Sequence, residues 1–229
     1  MLKRQRQAYI LDLLVRDKFV RVEDLAKDLN VSVVTIRRDI SELDKKNKLI
    51  KVHGGAQVLE GSQDIELQDR HDQNPKAKIK IAKKAATYVK DGQSIYLDAG
   101  TTCAAVIPFL SQKDIIVYTH GIHHVQELQK YDIETYVLGG KIKRKTHAAI
   151  GALTLKYLEH MSFDIAFVGF NAYDTDFGYT TPDDQEAFIK EKIIAQSDKV
   201  LFLGDKTKLN RRAGIHFANV DDGVLITND

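Results

Sequence analysis

The stretch VSVVTIRRDI, residues 31–40, decides the fold of the first part of this chain. Ser32 can cap a helix by accepting a hydrogen bond from the backbone N–H of Thr35. Apolar residues then recur at steps of three and four, which predicts one inward stripe. Its members are Val33, Ile36, Ile40 and Leu43. The sequence therefore predicts an amphipathic helix that runs from residue 33 to about residue 46.

The outward face of this helix is basic. It carries Val34, Thr35, Arg38 and Ser41, with Arg37 on its flank. We expect no carboxylate on this face, because Asp39 points elsewhere. Two guanidinium groups on a capped helix suit the edge of guanine and the phosphates beside it. The alternative is a solvated surface helix whose arginines bind nothing.

The flanking segments favour the nucleic-acid interpretation. Helices are predicted at residues 3–17 and 22–29, with a turn at residues 30–31 before the arginine helix. Three short helices with a tight turn between the second and third are the helix-turn-helix arrangement, in which the last helix enters the major groove. Residues 49–55 then predict a small hairpin or wing, where Lys51 and His53 can contact phosphates.

The charge is unevenly distributed. The chain of 229 residues has a net charge of +2, whereas residues 1–58 contain 13 Lys+Arg and 8 Asp+Glu, a net +5 that leaves −3 for the remainder. A positive excess confined to the first quarter indicates that a polyanion meets that part only. With a helix-turn-helix in the same part of the chain, the expected polyanion is double-stranded DNA.

Composition excludes several classes of protein. A content of 43% apolar and 29% charged residues is typical of a globular chain with a packed core. The single cysteine, Cys103, rules out an internal disulfide. The charged start is not a signal peptide, because Asp12 interrupts its apolar run. No apolar run is long enough to span a membrane, so we expect a cytoplasmic protein.

The second part of the chain has a different pattern. Residues 60–75 are polar and lack a hydrophobic period, which predicts a linker. The expected domains are 1–58, which binds DNA, 59–75, the linker, and 76–229, an effector domain. From residue 76 onward helices alternate with short apolar strands, which predicts an α/β domain with a doubly wound, largely parallel sheet covered on both faces. Pro182 is expected at the first position of a helix over residues 183–197.

Ligands of such sheets bind beyond the carboxyl ends of the strands. Asp98, Gly100, Thr101 and Thr102 follow the first strand, and the N–H groups at this helix start can cradle a phosphate. The other segments expected at this edge contribute a larger set: Gly140 and Lys141; Thr181, Glu186 and Lys190; Asp205 and Lys208. The lysines would bind phosphate, and Asp98, Glu186 and Asp205 would accept hydrogen bonds from sugar hydroxyls. The alternative is that the glycine serves only the geometry of the turn.

Three histidines and the cysteine are expected to have structural roles. His120, His123 and His124 lie close together, but no cysteine or acidic residue matches a ligand spacing, so no metal is expected. Cys103 would lie at a helix start, and burial is its expected fate. We expect no cofactor and no catalytic residue.

With these residues in view, the chain resembles the DeoR-type bacterial repressors of sugar operons over essentially its whole length. The matching segments are VSVVTIRRDISEL, VHGGA, LDAGTT, LGGKIK, FDIAFVGFNA, GYTTPDDQEA and GDKTK. The segments IPFL, KDIIVYTHG, TYVLGGKIK and GYTTPD are most similar to the fructose-operon repressors. The combination of TIRRDI with VHGGA is highly specific for the winged helix-turn-helix of the family.

The resemblance implies several further properties. The second domain would be similar to the sugar-phosphate isomerase and coenzyme A transferase fold and would sense a phosphosugar, and the protein would be a homo-oligomer, a dimer or a tetramer. The effector residues of the family carry over onto Lys78, Asp98, Gly100, Thr101, Thr102, Asp205 and Lys208. The sequence departs from the family at three positions. Arg21 replaces a helix cap and would add a phosphate contact, and His120 replaces the usual Thr-Asn, so that a polar contact to the effector would differ. Asn210 replaces the usual aromatic-glycine turn.

The sequence thus favours a transcriptional repressor that a phosphosugar such as fructose 1-phosphate releases from its operator. One rival is a phosphosugar isomerase, in which Asp98, Glu186, Lys190 and Asp205 would serve as acid, base and electrostatic helper. Another is a DNA-binding protein with a second domain that senses nothing.

Overall fold

The chain forms two compact units, residues 1–63 and residues 64–229. The computed structural model describes residues 3–45, 48–58 and 67–229. Part of the predicted linker, residues 59–66, lies outside the described residues, as does the predicted end of the arginine helix at Lys46. The two units are described separately below.

The first unit confirms the three predicted helices and the wing. Its helices are α1 Lys3–Asp17, α2 Val22–Asp28 and α3 Val33–Lys45, and its strands are β1 Phe19–Arg21, β2 Leu49–Val52 and β3 Gly55–Val58. The strands form an antiparallel sheet in the order β1-β3-β2. The sequence did not predict β1, because three residues are too few to show alternation.

The core of the first unit lies beneath α3. Ile36, Ile40 and Leu43 are at most 2% exposed and pack with residues of α1 and α2 such as Leu14 and Leu25. Removing these apolar side chains from water is the main driving force that holds the three helices together. The predicted inward stripe is therefore confirmed, with Val33 partly buried at its end.

The second unit contains a six-stranded parallel sheet. The strands of this unit are β4 Ser94–Leu97, β5 Ile116–Thr119, β6 Glu134–Val137, β7 Lys141–Lys143, β8 Ala148–Ile150, β9 Phe163–Gly169, β10 Ala172–Asp174, β11 Gly178–Thr181, β12 Ser197–Leu203, β13 Ile215–Ala218 and β14 Val224–Ile226. The parallel sheet has the order β14-β12-β9-β4-β5-β6. The predicted sheet type is confirmed.

Helices cover both faces of this sheet, as the doubly wound pattern predicts. They are α4 Leu67–Asp72, α5 Pro75–Ala86, α6 Thr101–Ala104, α7 Val125–Lys130, α8 Ala152–Leu158 and α9 Asp184–Ala195. One core joins Ile81 of α5 and Leu128 of α7 to one face. The other joins Leu158 of α8 and Ile193 of α9 to the opposite face.

Two antiparallel additions were not predicted. Strands β10, β11 and β13 form a small sheet, and β7 pairs with β8 as a hairpin. Thr181 therefore ends a strand of the small sheet. Pairing between β11 and β13 joins segments that are distant in sequence, and local periodicity does not reveal it.

Some local predictions were wrong. Pro182 precedes the first helical position of α9, because Asp183 is the N-cap and accepts the N–H of Glu186. The apolar spacing of Ile79, Ala82, Ala86 and Val89 predicts a helix with these residues inward, but Ile79 is 47% exposed, because α5 turns Ile81 and Ala82 inward. The sequence also predicts one helix from the Thr101-Thr102 segment to about residue 110, but this stretch consists of the short α6 and a 3-10 turn, Ile107–Phe109. The segment predicted as a linker contains α4, which belongs to the second unit.

Candidate functional sites

The outer face of α3 is accessible to a ligand. Val34 is 73% exposed and the Arg38 side chain 84% exposed, and Arg37 is also exposed. Ser32 accepts the N–H of Thr35 at 3.2 Å, which confirms the predicted cap. One expectation was wrong: the face is not free of carboxylates, because Glu42 lies 3.8 Å from Arg38. An exposed i,i+4 pair at this distance contributes little and can be exchanged for a phosphate or base contact.

Asp39 is buried on the opposite side of α3 and ties it to α1. Its Oδ2 accepts Arg6 Nε at 2.5 Å, and its Oδ1 lies 3.4 Å from Gln7 Nε2. The side chains of Arg6 and Asp39 are 11% and 2% exposed. The pair therefore fixes the rotation of α3 that turns Arg37 and Arg38 outward. Sequence analysis missed Arg6 and Gln7, because their partner lies more than thirty residues away.

The wing forms a second basic edge beside α3. Lys51 donates its backbone N–H to Asp44 and its Nζ to Ser41 Oγ at 3.0 Å. A concave surface of about 370 Å³ between α3 and the wing is lined by residues that include Arg37, Lys51, His53 and Glu23. The predicted contacts Ser41, Lys51 and His53 thus lie close to the arginine helix, and Arg21 is exposed on β1.

In the second unit, Asp98 occupies the carboxyl end of β4 and is buried. Its Oδ2 accepts the N–H of Gly169 at 2.8 Å and Lys190 Nζ at 2.5 Å. Burial raises the pKa of Asp98, but the charge of Lys190 and the hydrogen bonds from Lys190 and Gly169 outweigh it and hold the pKa below its usual value. Asp98 is therefore ionised at neutral pH.

His120 forms the wall beside Asp98. Its Nδ1 lies 2.7 Å from the hydroxyl of Tyr96, and its Nε2 lies 3.7 Å from Asp98 Oδ1. Burial lowers the pKa of His120 to about 4, against the opposing effect of Asp98. The imidazole is therefore neutral at pH 7. The family resemblance marks this position as one where a polar contact to the effector differs.

Two lysines and a carboxylate form a second group at the strand ends. Lys208 donates to the carbonyl of Phe170 at 2.8 Å, and burial lowers its pKa from 10.5 to about 8, although Asp205 opposes this shift. Burial also lowers the pKa of Lys78, whose charge interacts with that of Asp205. Asp205 accepts the N–H and the hydroxyl of Thr207. Two ammonium groups close to one carboxylate are suited to a dianion.

The Gly100-Thr101-Thr102 segment joins these two groups. Gly100 is the N-cap of α6, and the two threonines are buried in its first turn. The first N–H groups of a helix lack intrahelical acceptors and can bind an anion. The structure therefore brings together Lys78, Asp98, Gly100, Thr101, Thr102, Lys190, Asp205 and Lys208 at one edge of the sheet, which we call the crevice.

Four predicted effector residues have contacts of a different kind. Glu186 accepts Thr146 Oγ1 at 2.9 Å and Lys143 Nζ at 3.1 Å, and Thr181 donates to Asn171. A Cβ at Gly140 would lie 2.2 Å from Thr154 Oγ1, so this glycine serves packing. Lys141 is exposed on β7. Glu186, Gly140 and Thr181 therefore contact protein groups of the β7–β8 hairpin, of α8 and beside the small sheet, respectively.

The remaining candidates have structural roles. Cys103 is fully buried, and burial raises its pKa far above the usual range of a thiol. Within the described residues, no group of histidine, cysteine or acidic side chains is arranged to hold a metal ion. In the same part of the chain, no helix has the length and apolar character needed to cross a membrane.

A winged helix-turn-helix unit joined to an α/β unit with a cationic crevice defines the class of DNA-binding regulators that carry a ligand-binding domain. Comparison with models of protein families gives a more specific assignment. Residues 6–62 match the DeoR-like helix-turn-helix domain, and residues 73–229 match the DeoR C terminal sensor domain. This protein belongs to the DeoR family, as its motifs indicate.

Sequence similarity to individual transcriptional regulators supports this assignment. The chain is 38% identical to the uncharacterized HTH-type transcriptional regulator FruR of Bacillus subtilis, over 100% of this chain and 92% of the relative. It is 28% identical to the glycerol-3-phosphate regulon repressor of Escherichia coli, over 96% and 88% of the two chains. Its fold is similar to that of eIF2B delta from Chaetomium thermophilum, with a TM-score of 0.51 and 16% identity over 69% and 57% of the two chains.

Proposed function

We propose that this protein represses a sugar-utilisation operon, with a fructose operon as the first candidate, and that a phosphosugar such as fructose 1-phosphate releases it from its operator. The observation that carries the proposal is the crevice, where Lys78, Lys208 and the first turn of α6 converge at the carboxyl ends of the strands. Phosphate binds to such combinations of ammonium and N–H groups. The relative in Escherichia coli, named a repressor, supports the direction of regulation.

The DNA-binding half of the proposal rests on the first unit. Residues 1–58 would hold the operator, with Arg37 and Arg38 on base edges and Arg21, Lys51 and His53 on phosphates. Ser32, Val34, Thr35 and Ser41 would complete the surface that faces the groove. Recognition of palindromic or repeated operators by a dimer or tetramer in the cytoplasm belongs to the same proposal.

The effector half assigns roles within residues 76–229. Lys78, Lys208, Thr101 and Thr102 would bind the phosphate, and Asp98 and Asp205 would accept hydrogen bonds from sugar hydroxyls. Lys190 acts on the ligand through Asp98, because its ammonium already neutralises this carboxylate. Gly140, Lys141, Thr181 and Glu186 would support the rim through the contacts described above.

The isomerase rival draws less support from the geometry. An acid or base must reach the proton that it transfers. Asp98 is bound to Lys190 and Gly169, and Glu186 is bound to Lys143 and Thr146, so both are committed to protein groups. Turnover of a pentose or hexose phosphate by the full chain would support the isomerase.

The thermal midpoint of the full chain with a panel of phosphosugars, beside the matching free sugars, tests the effector half. A ligand at 100 times its dissociation constant stabilises the folded state by about 2.7 kcal/mol. We expect a shift with one phosphosugar and none with its free sugar. Asp205→Ala should abolish release and leave operator affinity intact. No shift across the panel would favour a second domain that senses nothing.

A further inference from the structure

The helix α4 lies across the crevice and uses the donors that a phosphate would need. Lys78 Nζ donates to the carbonyl of Arg70 and lies 3.4 Å from that of His71. Thr101 Oγ1 donates to the same Arg70 carbonyl at 3.4 Å. These carbonyls lie in the last turn of α4, where carbonyl groups accept no hydrogen bond from the backbone of their own helix.

The position of α4 is fixed at its other end as well. The N–H of Leu67, its first residue, donates to the carbonyl of Lys145 at 2.8 Å, in the turn of the β7–β8 hairpin. The six-residue helix thus spans from this hairpin to the first turns of α5 and α6. Lys78 is only 7% exposed beneath it.

A phosphate in the crevice and α4 would need the same hydrogen-bond donors. An ammonium has three N–H donors and a threonine hydroxyl has one. Two donors of Lys78 are directed at α4, and so is the hydroxyl of Thr101. A phosphate in the crevice needs the same donors, and its oxygens would face carbonyl oxygens of the same partial charge.

We propose that a phosphosugar and the Arg70 carbonyl compete for Lys78 and Thr101, so that effector binding displaces α4 from the crevice. This inference rests on the proposed function, because it takes the crevice as the phosphosugar site. Along the chain, α4 follows residues 59–66, which join it to the DNA-binding unit. Displacement of α4 therefore acts on the segment that directly follows residues 59–66 in the sequence.

Competition has a reciprocal consequence. If the effector displaces α4, a change that weakens the docking of α4 must strengthen effector binding by the same factor. Leu67→Pro removes the N–H that binds Lys145, and proline is tolerated at a first helical position. Leu67→Ala is the matched control, because it shortens the side chain and retains the N–H.

The test uses the full chain and fructose 1-phosphate, with inorganic phosphate as a second probe. Calorimetric titration should give Leu67→Pro an affinity at least about fivefold higher than that of Leu67→Ala, at the lower end of typical couplings. Amide hydrogen exchange in residues 67–72 of the unaltered chain should become faster when the probe is bound, because their contacts are released.

Each outcome decides one point. Binding with slower or unchanged exchange in residues 67–72 overturns the competition and leaves the proposed function intact, because α4 would then close on the ligand or ignore it. Equal or weaker affinity of Leu67→Pro also overturns it. Failure of every phosphosugar in the panel, fructose 1-phosphate included, to shift the thermal midpoint contradicts the proposed function and the inference with it.

Discussion

Lys190 Nζ lies 2.5 Å from Asp98 Oδ2, and the two side chains are 6% and 3% exposed. Their positions differ by 92 in the sequence, so the pair joins α9 to the end of β4. Removing one partner of a buried pair leaves the other charge without compensation, which typically costs about 3–5 kcal/mol. We therefore expect Lys190→Met to lower the free energy of unfolding by about this amount in urea titration.

The control for this variant is Lys156→Met on the exposed side of α8. A surface change of this kind usually alters stability by no more than about 0.5 kcal/mol. If Lys190→Met unfolded at the same urea concentration as the control, Asp98 would not depend on Lys190 for its charge.

The Arg6–Asp39 pair links two helices of the DNA-binding unit, so loss of its charge should affect that unit. Asp39→Asn keeps the shape of the side chain but removes the charge that Arg6 Nε contacts at 2.5 Å. We expect the first unit to unfold at a lower urea concentration and operator binding to weaken, because the buried Asp39 loses the charge that Arg6 contacts and α3 loses its link to α1. Asp28→Asn, at an exposed position of α2, is the control and should change neither quantity.

Arg38 should read base sequence. Its side chain is 84% exposed, and its contact with Glu42 at 3.8 Å is weak. Arg38→Ala should reduce the discrimination between operator and unrelated duplex by about 1–3 kcal/mol, measured as the ratio of dissociation constants at one salt concentration. An unchanged ratio would contradict the assignment.

Lys51 provides the contrasting case, because a phosphate contact carries no sequence information. Lys51→Ala should weaken binding to operator and unrelated DNA alike, and the slope of log K against log salt should fall by about one. Loss of discrimination in this variant would mean that the wing contacts bases instead of phosphates.

Effector binding should weaken in alkaline solution. The pKa of Lys208, about 8, lies below the usual 10.5 because burial disfavours its charge. The lysine is mostly protonated at pH 7, and a phosphate favours the protonated form. Because phosphate monoesters are already dianionic above pH 7, affinity should fall about tenfold between pH 7 and pH 9, as expected for one proton with this pKa.

The same shift affects stability with a defined sign. A lysine with a lowered folded-state pKa costs stability while it is charged, and this cost is relieved as the pH rises from about 8 towards 10.5.

Calorimetric titration of the effector from pH 7 to pH 9 tests the predicted loss of affinity, with Lys208→Arg as the control. An equally steep decline in Lys208→Arg would assign the proton to another group.

Much of the crevice was accessible from sequence because one topological rule governs it. The carboxyl ends of parallel strands share one edge, so Asp98, Gly100 and Lys208 were expected there before their distances were known. The rule says nothing about pairing within the edge, and the ion pair of Asp98 with Lys190 followed only from coordinates. The hydrogen bond between His120 and Tyr96 also followed only from coordinates, because Tyr96 belongs to a neighbouring strand.

The helix α4 shows the limit of periodicity. Its sequence LQDRHD contains one apolar residue and gives no stripe, so the segment was predicted as a linker. What holds the helix is a set of main-chain contacts with Lys145, Lys78 and Thr101. Such contacts leave no pattern in the local sequence.

A phosphosugar bound in the second unit should control DNA binding by the first. The most direct measurement is fluorescence anisotropy of a labelled duplex, selected by the full chain from a random library, during titration with fructose 1-phosphate and separately with fructose. We expect the phosphosugar to weaken binding by about 5–150-fold and fructose to have no effect. Unchanged affinity at a phosphosugar concentration that shifts the thermal midpoint would contradict this expectation.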